Sequence, residues 1–192
     1  MFIAPNEQSV KIVALGATAV GKSSILLRAA RNEYTDVHQL NIGAIYYRKT
    51  VKLQKAEEDI KLELWDTAGQ ERYNSVTQLY YRNAYVILIV FSMDDVDSLQ
   101  KAIEWNNVQV EQNSAATRCL VGNKSDICWK CPQAEQYAQD NNLSYFVVSA
   151  KQGNGVDQLF QYIAQCCSNL KLRAQPAKVS IVTPKEYKKF CC

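Results

Sequence analysis

The sequence predicts an α/β domain with a six-stranded, mostly parallel sheet flanked by helices. Short apolar runs alternate with helix-compatible segments from Val10 to about Leu170, as in strands joined by crossover helices. A phosphate-loop motif stands between the first apolar run and the first helical segment. A hairpin breaks this alternation and adds one antiparallel strand.

Four apolar runs are predicted as the parallel strands. Each is short and apolar on both faces, as in a sheet that helices cover on both sides. The runs are Val10–Leu15, 85–91, 118–121 and 145–148.

Residues 45–53 and 60–65 form the predicted hairpin, with apolar and polar side chains alternating along both segments. Tyr46 and Trp65 fall on the polar face, where the core cannot use them. We interpret this exposed aromatic pair as a partner site. The alternative is that a helix or loop covers the pair.

Three- and four-residue spacing predicts the helices. One runs over 24–30, and another carries an apolar stripe. The clearest begins near Val156, with Cys167 facing the core. The stripe of the second helix is Leu99, Ala102, Ile103 and Val110.

Composition excludes several classes of protein. The longest apolar run, 84–91, has eight residues, far below the ~18 of a membrane-spanning helix. No signal peptide is recognisable, so we expect the chain to stay inside the cell with its seven cysteines reduced. A single histidine, His38, excludes a zinc finger with two Cys and two His. The net charge of +3 is too small to predict a nucleic-acid partner.

Charge divides the chain into two parts. Residues 171–192 carry six Lys or Arg and one Glu, a net +5, which leaves −2 for residues 1–170. Periodicity also stops near Leu170. We therefore expect a globular domain over 1–170 and a flexible basic tail over 171–192.

Residues 16–23 read Gly-Ala-Thr-Ala-Val-Gly-Lys-Ser and match the phosphate-loop pattern G-x-x-x-x-G-K-[ST]. Backbone N–H groups and the start of the following helix hold a phosphate chain in such a loop. Lys22 reaches the β and γ oxygens, and the Ser23 hydroxyl ligates Mg²⁺. An ordinary glycine-rich turn is the alternative. The predicted contact residues are Thr18, Ala19, Val20, Gly21, Lys22, Ser23 and Ser24.

Three further motifs follow other strands and reach the same sheet edge. Asp66 ends an apolar strand, where a carboxylate holds Mg²⁺ through water, and Gly69 lets its amide approach a γ-phosphate. Residues 123–126, Asn-Lys-Ser-Asp, and 149–151, Ser-Ala-Lys, follow two later strands. The sequence therefore predicts one nucleotide site at this edge.

The order and spacing of these motifs resemble those of the Ras superfamily of small GTPases, and within it the Rab family, over residues 9–170. The likeness to Rab proteins, and most to their early-endosomal subgroup, rests on WDTAGQERY (65–73), QLYYR (78–82), IGAIY (42–46) and the terminal Cys191-Cys192. The resemblance implies the small GTPase fold, GTP and GDP as ligands with Mg²⁺, and a switch function in vesicle trafficking.

The resemblance also implies roles for individual residues. Asp126 accepts hydrogen bonds from guanine N1 and N2, the Ala150 amide meets O6, and Asn123 braces the loops. Lys124 and Lys151 pack over the base. The catalytic residue is Gln70; the metal ligands are Ser23, Asn41 and Asp66; and nucleotide contacts also come from Tyr34, Thr35, Asp36, Asn41, Gly69 and Ser149.

Partners follow from the same resemblance. Effectors would bind an aromatic triad of Tyr46, Trp65 and Tyr80, and geranylgeranyl groups on Cys191 and Cys192 would attach the chain to membranes. An exchange factor, a GTPase-activating protein and a prenyl-lipid chaperone of the GDI or escort type are implied, with a monomeric chain. The implied location is the cytoplasmic face of endosomal or other vesicle membranes, cycling with the cytosol.

Three features depart from the family. Asn41 stands where the family has a Thr that ligates Mg²⁺, and we expect its side-chain oxygen to ligate instead; the alternative is that the side chain points to solvent. Thr18 stands where faster-hydrolysing relatives have Gly, so slow hydrolysis is expected. Cys128 and Cys131 have the spacing of a redox or zinc pair, but without a second such pair we expect neither function.

Two other functions remain open at this point. A membrane-anchored docking protein with weakened nucleotide sensing would follow from Asn41. A phosphate-loop kinase is disfavoured because Asp126 and Gln70 fit guanine binding and water activation.

Overall fold

A computed structural model describes residues 9–35, 45–53, 59–66, 81–112 and 115–174. Within these ranges the chain forms six strands and four helices. The strands are β1 (Val10–Leu15), β2 (Ile45–Val51), β3 (Ile60–Asp66), β4 (Val86–Ser92), β5 (Thr117–Asn123) and β6 (Ser144–Val147). The helices are α1 (Lys22–Arg31), α2 (Val96–Gln112), α3 (Pro132–Asp140) and α4 (Val156–Ala174).

The six strands form one sheet in the order β2-β3-β1-β4-β5-β6. β2 and β3 pair antiparallel, and every other neighbouring pair is parallel. The predicted fold class is confirmed, including the single antiparallel pair. Because the parallel strands share one direction, the loops that follow β1, β3, β5 and β6 all leave the sheet at the same edge.

Hydrophobic clusters cover both faces of the sheet. Ile12 and Ala14 of β1 belong to one cluster, together with residues of α1 and α4. Val13 and Leu15 belong to the other, together with residues of α2 and α3. Neighbouring side chains of a strand point to opposite faces, so a strand buried on both sides is apolar along most of its length, as β4 is before it ends at the buried Ser92.

The hairpin has the predicted alternation, because buried and partly exposed side chains alternate along β3. The prediction of an exposed aromatic pair is right only for Tyr46, whose side chain is 38% exposed. Trp65 is half-buried against the second cluster. Its register partner on β1 is Val13, a core residue, so the apolar interior extends beneath the indole.

The buried stripe of α2 differs from its prediction in the second half of the helix. Leu99 and Ala102 are buried as expected, but Val110 is exposed. Asn106 and Gln109 are buried instead, since they continue the three- and four-residue spacing from Ala102. The apolar character of Val110 was therefore a poor guide to the inner face.

The last helix, α4, extends to Ala174, beyond the predicted domain boundary at residue 170. Cys167 is buried on its inner face, as predicted. Within the ranges given above, no helix has both the length and the apolar composition that crossing a bilayer requires.

Candidate functional site

The loop between β1 and α1 is shaped by two glycines. Gly16 has φ +146°, and a Cβ added there would lie 2.1 Å from the Val90 carbonyl oxygen. Gly21 has φ +94°, and an added Cβ would lie 2.2 Å from Nδ2 of Asn123. A side chain at either position would collide with the neighbouring strand end, so the pattern's two glycines are required by the local geometry.

The buried side chain of Lys22 forms hydrogen bonds with the backbone of this loop. Its ammonium donates to the carbonyl oxygens of Gly16 at 2.9 Å and Ala17 at 2.7 Å. The cation is thereby held within a backbone loop at the start of a helix. This donor set and the close-fitting loop suit a phosphate chain.

Two oxygen donors of the kind that Mg²⁺ prefers lie in the neighbouring segments. Ser23 is the second residue of α1 and is half-buried. Asp66 is the last residue of β3, pairs in register with Ala14 of β1, and is buried. The residues present fit a metal ion at the end of β1 and β3.

Asn123 connects the phosphate loop to the loop after β6. It is 2% exposed, and its side-chain Nδ2 donates to the carbonyl oxygen of Val20 at 2.9 Å. Its Oδ1 accepts the backbone N–H of Ala150 at 3.1 Å. This is the N–H that the family resemblance assigns to guanine O6, so a base carbonyl would share this donor with Asn123.

The carboxylate of Asp126 is oriented by a serine. Oγ of Ser149 donates to Oδ1 of Asp126 at 2.5 Å, and Oγ in turn accepts the backbone N–H of Gln152 at 3.0 Å. Asp126 is exposed while Ser149 is buried. The carboxylate is therefore oriented by Ser149 but remains exposed to solvent. It can accept hydrogen bonds from a ligand with paired N–H donors.

Lys124 adopts a left-handed backbone conformation with φ 64°. Its ammonium lies 3.7 Å from Oδ1 of Asp94. The pKa of Asp94 is lowered first by a hydrogen bond from the Ser92 hydroxyl and further by the charge of Lys124. Sequence reasoning missed Asp94, which follows β4 and belongs to none of the recognised motifs.

Some of the remaining predicted site residues lie within the described part of the chain, and others lie outside it. Tyr34 is half-buried against the first cluster, whereas Thr18, Ala19, Thr35 and Lys151 are exposed. The predictions for Asp36, Asn41, Gly69, Gln70, Tyr80, Cys191 and Cys192 lie outside the described residues.

Arg28 of α1 is a further site residue that the sequence did not indicate. Its Nε donates to the carbonyl oxygen of Ala150 and its Nη2 to that of Lys151, both at 2.9 Å. An arginine at the end of an amphipathic helix is normally solvated, and nothing in the local pattern distinguishes this one.

Comparison with known proteins agrees with this geometry. The Ras family model matches residues 11–169. The Ras-related protein Rab-5A of Dictyostelium discoideum is 39% identical over 160 residues, covering 81% of this chain and 79% of the relative. The GTP-binding protein ypt5 of Schizosaccharomyces pombe is 38% identical over 161 residues, covering 81% and 76%.

A third relative extends the match. The Ras-related protein Rab5 of Nicotiana tabacum is 35% identical over 178 residues, covering 90% of this chain and 86% of the relative. The chain therefore belongs to the Ras family of small GTPases, and its relatives place it among the Rab proteins.

Proposed function

We propose that this protein is a Rab-type molecular switch that cycles between GTP and GDP and regulates vesicle trafficking. The observation that carries the proposal is the double contact of Asn123, which joins a phosphate loop to the loop beside Asp126. A ligand that fills this site must combine phosphates at one end with paired N–H donors at the other. Guanine nucleotides have both features, whereas adenine would leave the Asp126 carboxylate without its donors.

Phosphate and metal binding involve the first half of the site. The ammonium of Lys22 is held in the loop by the carbonyl oxygens of Gly16 and Ala17. Together with the loop amides, it binds the phosphate oxygens. Ser23, Asp66 and Asn41 are the proposed magnesium ligands, and the ion supplies charge neutralisation on the phosphates when bound. Asp36, Gly69, Tyr34 and Thr35 complete the nucleotide contacts.

Base binding involves the second half. Asp126 accepts from guanine N1 and N2, oriented by Ser149. Lys124 and Lys151 pack their stems over the two faces of the base. Ala150 offers its N–H to O6 in competition with Asn123.

Hydrolysis resets the switch. Gln70 orients the attacking water, and the side chain of Thr18 slows the intrinsic reaction by crowding that water. A GTPase-activating protein accelerates the step by adding stabilising groups to the transition state. The Gln70→Leu variant should therefore hydrolyse GTP more slowly than wild type, and equal rates would contradict the role of Gln70.

Membrane attachment involves the basic tail over 171–192. Geranylgeranyl groups on Cys191 and Cys192, together with the lysines before them, anchor the chain to the anionic cytoplasmic leaflet of endosomal or other vesicle membranes. A prenyl-lipid chaperone returns the monomer to the cytosol, and an exchange factor reloads it. Effectors bind Tyr46, Trp65 and Tyr80 in the GTP state.

Single-turnover GTP hydrolysis and nucleotide affinity, measured in wild type and Asn41→Thr, test the switch. We expect Mg²⁺-dependent binding and slow turnover in both proteins, with tighter triphosphate binding in the threonine variant. The docking-protein alternative is not favoured, because the relatives of this chain are Rab and other GTP-binding proteins. Nucleotide binding that Mg²⁺ leaves unchanged in both proteins would reverse this preference.

A further inference from the structure

The guanidinium of Arg28 forms hydrogen bonds with the backbone of the loop over residues 149–151. Two of its N–H groups donate to two consecutive carbonyl oxygens, those of Ala150 and Lys151, with both donor–acceptor distances at 2.9 Å. Arginine has a planar fork of donors that matches such a pair, whereas lysine has a point charge. The contact spans 122 positions of sequence and joins α1 to the loop after β6.

The third nitrogen of Arg28 fixes the side chain to its own helix end. Nη1 donates to the carbonyl oxygen of Asn32 at 2.8 Å and to its Oδ1 at 3.2 Å. Asn32 is the C-cap of α1, and its N–H donates back to the Arg28 carbonyl at 2.9 Å. These contacts hold the arginine side chain in one orientation.

The loop that Arg28 contacts orients two groups proposed to bind the guanine base, the Asp126 carboxylate and the Ala150 N–H. Ser149 holds the carboxylate of Asp126 at 2.5 Å, and the N–H of Ala150 donates to Asn123 at 3.1 Å. Asn123 and Arg28 thus contact Ala150 through its N–H and its carbonyl, respectively. Two backbone hydrogen bonds, from the Ser149 N–H to the Asn154 carbonyl oxygen at 2.9 Å and from the Gly153 N–H to the Ser149 carbonyl oxygen at 2.7 Å, are internal to the loop after β6. Arg28 adds the hydrogen bonds that connect the loop to α1.

We propose that Arg28 is a positioning residue for base recognition. Its hydrogen bonds fix the position of loop 149–151 relative to α1. Because Ser149 belongs to this loop, they also determine the orientation of the Asp126 carboxylate. The inference rests on the proposed function, binding of guanine nucleotides. Loss of Arg28 should weaken recognition of the base edge and leave phosphate binding unchanged.

A comparison of two nucleotides tests this division. GDP carries the O6, N1–H and N2 groups, whereas purine riboside 5′-diphosphate has the same sugar and phosphates but no substituent at C2 or C6. We expect Arg28→Ala to raise the dissociation constant of GDP by about tenfold, since each hydrogen bond from a charged group stabilises by the order of tenfold or more. The dissociation constant of purine riboside 5′-diphosphate should stay within about twofold of wild type, since that ligand has no base edge to lose.

Arg31→Ala is the matched control, because Arg31 lies in the same helical turn and its guanidinium stacks over Tyr47 at 5.8 Å instead of reaching the loop. It should leave both affinities unchanged. Arg28→Lys keeps the charge and can reach one carbonyl, so it should give a smaller loss, again confined to GDP. This variant preserves the comparison if Arg28→Ala does not fold.

An equal loss of affinity for both nucleotides in the Arg28 variants would overturn the inference, because it would show a general effect on the fold. Unchanged GDP binding in Arg28→Ala would overturn it as well. Failure of the proposed function would look different, because wild type itself would then bind GDP no more tightly than purine riboside 5′-diphosphate.

Discussion

Nδ2 of Asn123 donates to the carbonyl oxygen of Val20 across 2.9 Å, although the two residues are 103 positions apart in the chain. The bond is buried and joins the end of β5 to the phosphate loop. Because Oδ1 of the same side chain accepts the N–H of Ala150, three loops are held by one amide. The two ends of the proposed nucleotide site are therefore mechanically connected.

Replacing Asn123 with alanine should cost both stability and nucleotide affinity. The variant leaves the Val20 carbonyl and the Ala150 N–H buried without this partner, which costs about 1–3 kcal/mol for each group. We expect the free energy of unfolding in urea, without nucleotide, to fall by about 3 kcal/mol. Asn141→Ala is the control, since that amide is exposed and donates to the Tyr137 carbonyl in the preceding helix. Equal losses in the two variants would contradict the role given to Asn123.

Alanine substitutions at Gly21 and Gly153 distinguish the effect of a steric collision from that of backbone strain. Both glycines have positive φ, +94° and +86°, but only at Gly21 would an added Cβ collide, at 2.2 Å from Asn123. At Gly153 the nearest atom would be 3.8 Å away. Gly153→Ala should therefore lose about 1–2 kcal/mol of stability from strain alone. Gly21→Ala should lose more and also bind GDP far more weakly, and equal effects in thermal unfolding and GDP titration would refute the collision.

The strands were predictable because the pattern of apolar residues along each strand shows which of its faces are buried. A strand covered on both faces, such as β4, is apolar at every position before its final Ser92. The hairpin alternates because only one of its faces is core. The exposure of Trp65 was less predictable, since parity assigns a face but not what packs beneath it, and here that is the cluster around Val13.

The phosphate loop and the guanine-side motifs were predictable because their residue types are dictated by the ligand. Arg28 and Asp94 were not, because each acts on a backbone or side chain that is distant in sequence and close only after folding. On α2, the buried Asn106 and Gln109 were missed for a related reason, since polarity suggested solvent where tertiary packing required the inner face.

Tyr46 and Trp65 provide a test of the aromatic surface. Their rings meet edge to face with centroids 5.3 Å apart, and they are register partners in the hairpin. A double-mutant cycle of Tyr46→Ala and Trp65→Ala in urea unfolding should give a coupling of about 0.5–1.5 kcal/mol. Trp65→Ala should be the more destabilising single change because its indole also packs on the core. Additive losses would show that the pair does not interact.

Stability should fall at alkaline pH because of Cys119. Burial, with a smaller contribution from the nearby Cys166 and Cys167, raises the pKa of this thiol from an ordinary 9.0 to about 12. Below pH 9 the thiol is protonated in both folded and unfolded chains. Between pH 9 and 12 the unfolded chain loses this proton while the folded chain keeps it, so stability decreases as the pH rises.

Urea unfolding at several pH values should show this slope. In Cys119→Ala the decrease between pH 9 and 11 should be smaller than in wild type, while the two curves should run parallel below pH 9. Parallel curves throughout would show that Cys119 does not contribute to the pH dependence.

Titration calorimetry of the wild-type protein with GDP and with ADP, both in the presence of Mg²⁺, tests the central claim most directly. If Asp126 and loop 149–151 read a guanine base beside a phosphate loop, GDP should bind at least about a thousandfold more tightly than ADP, because adenine leaves a carboxylate without its donors. Equal affinities for GDP and ADP, or no binding of either, would contradict a guanine-nucleotide switch.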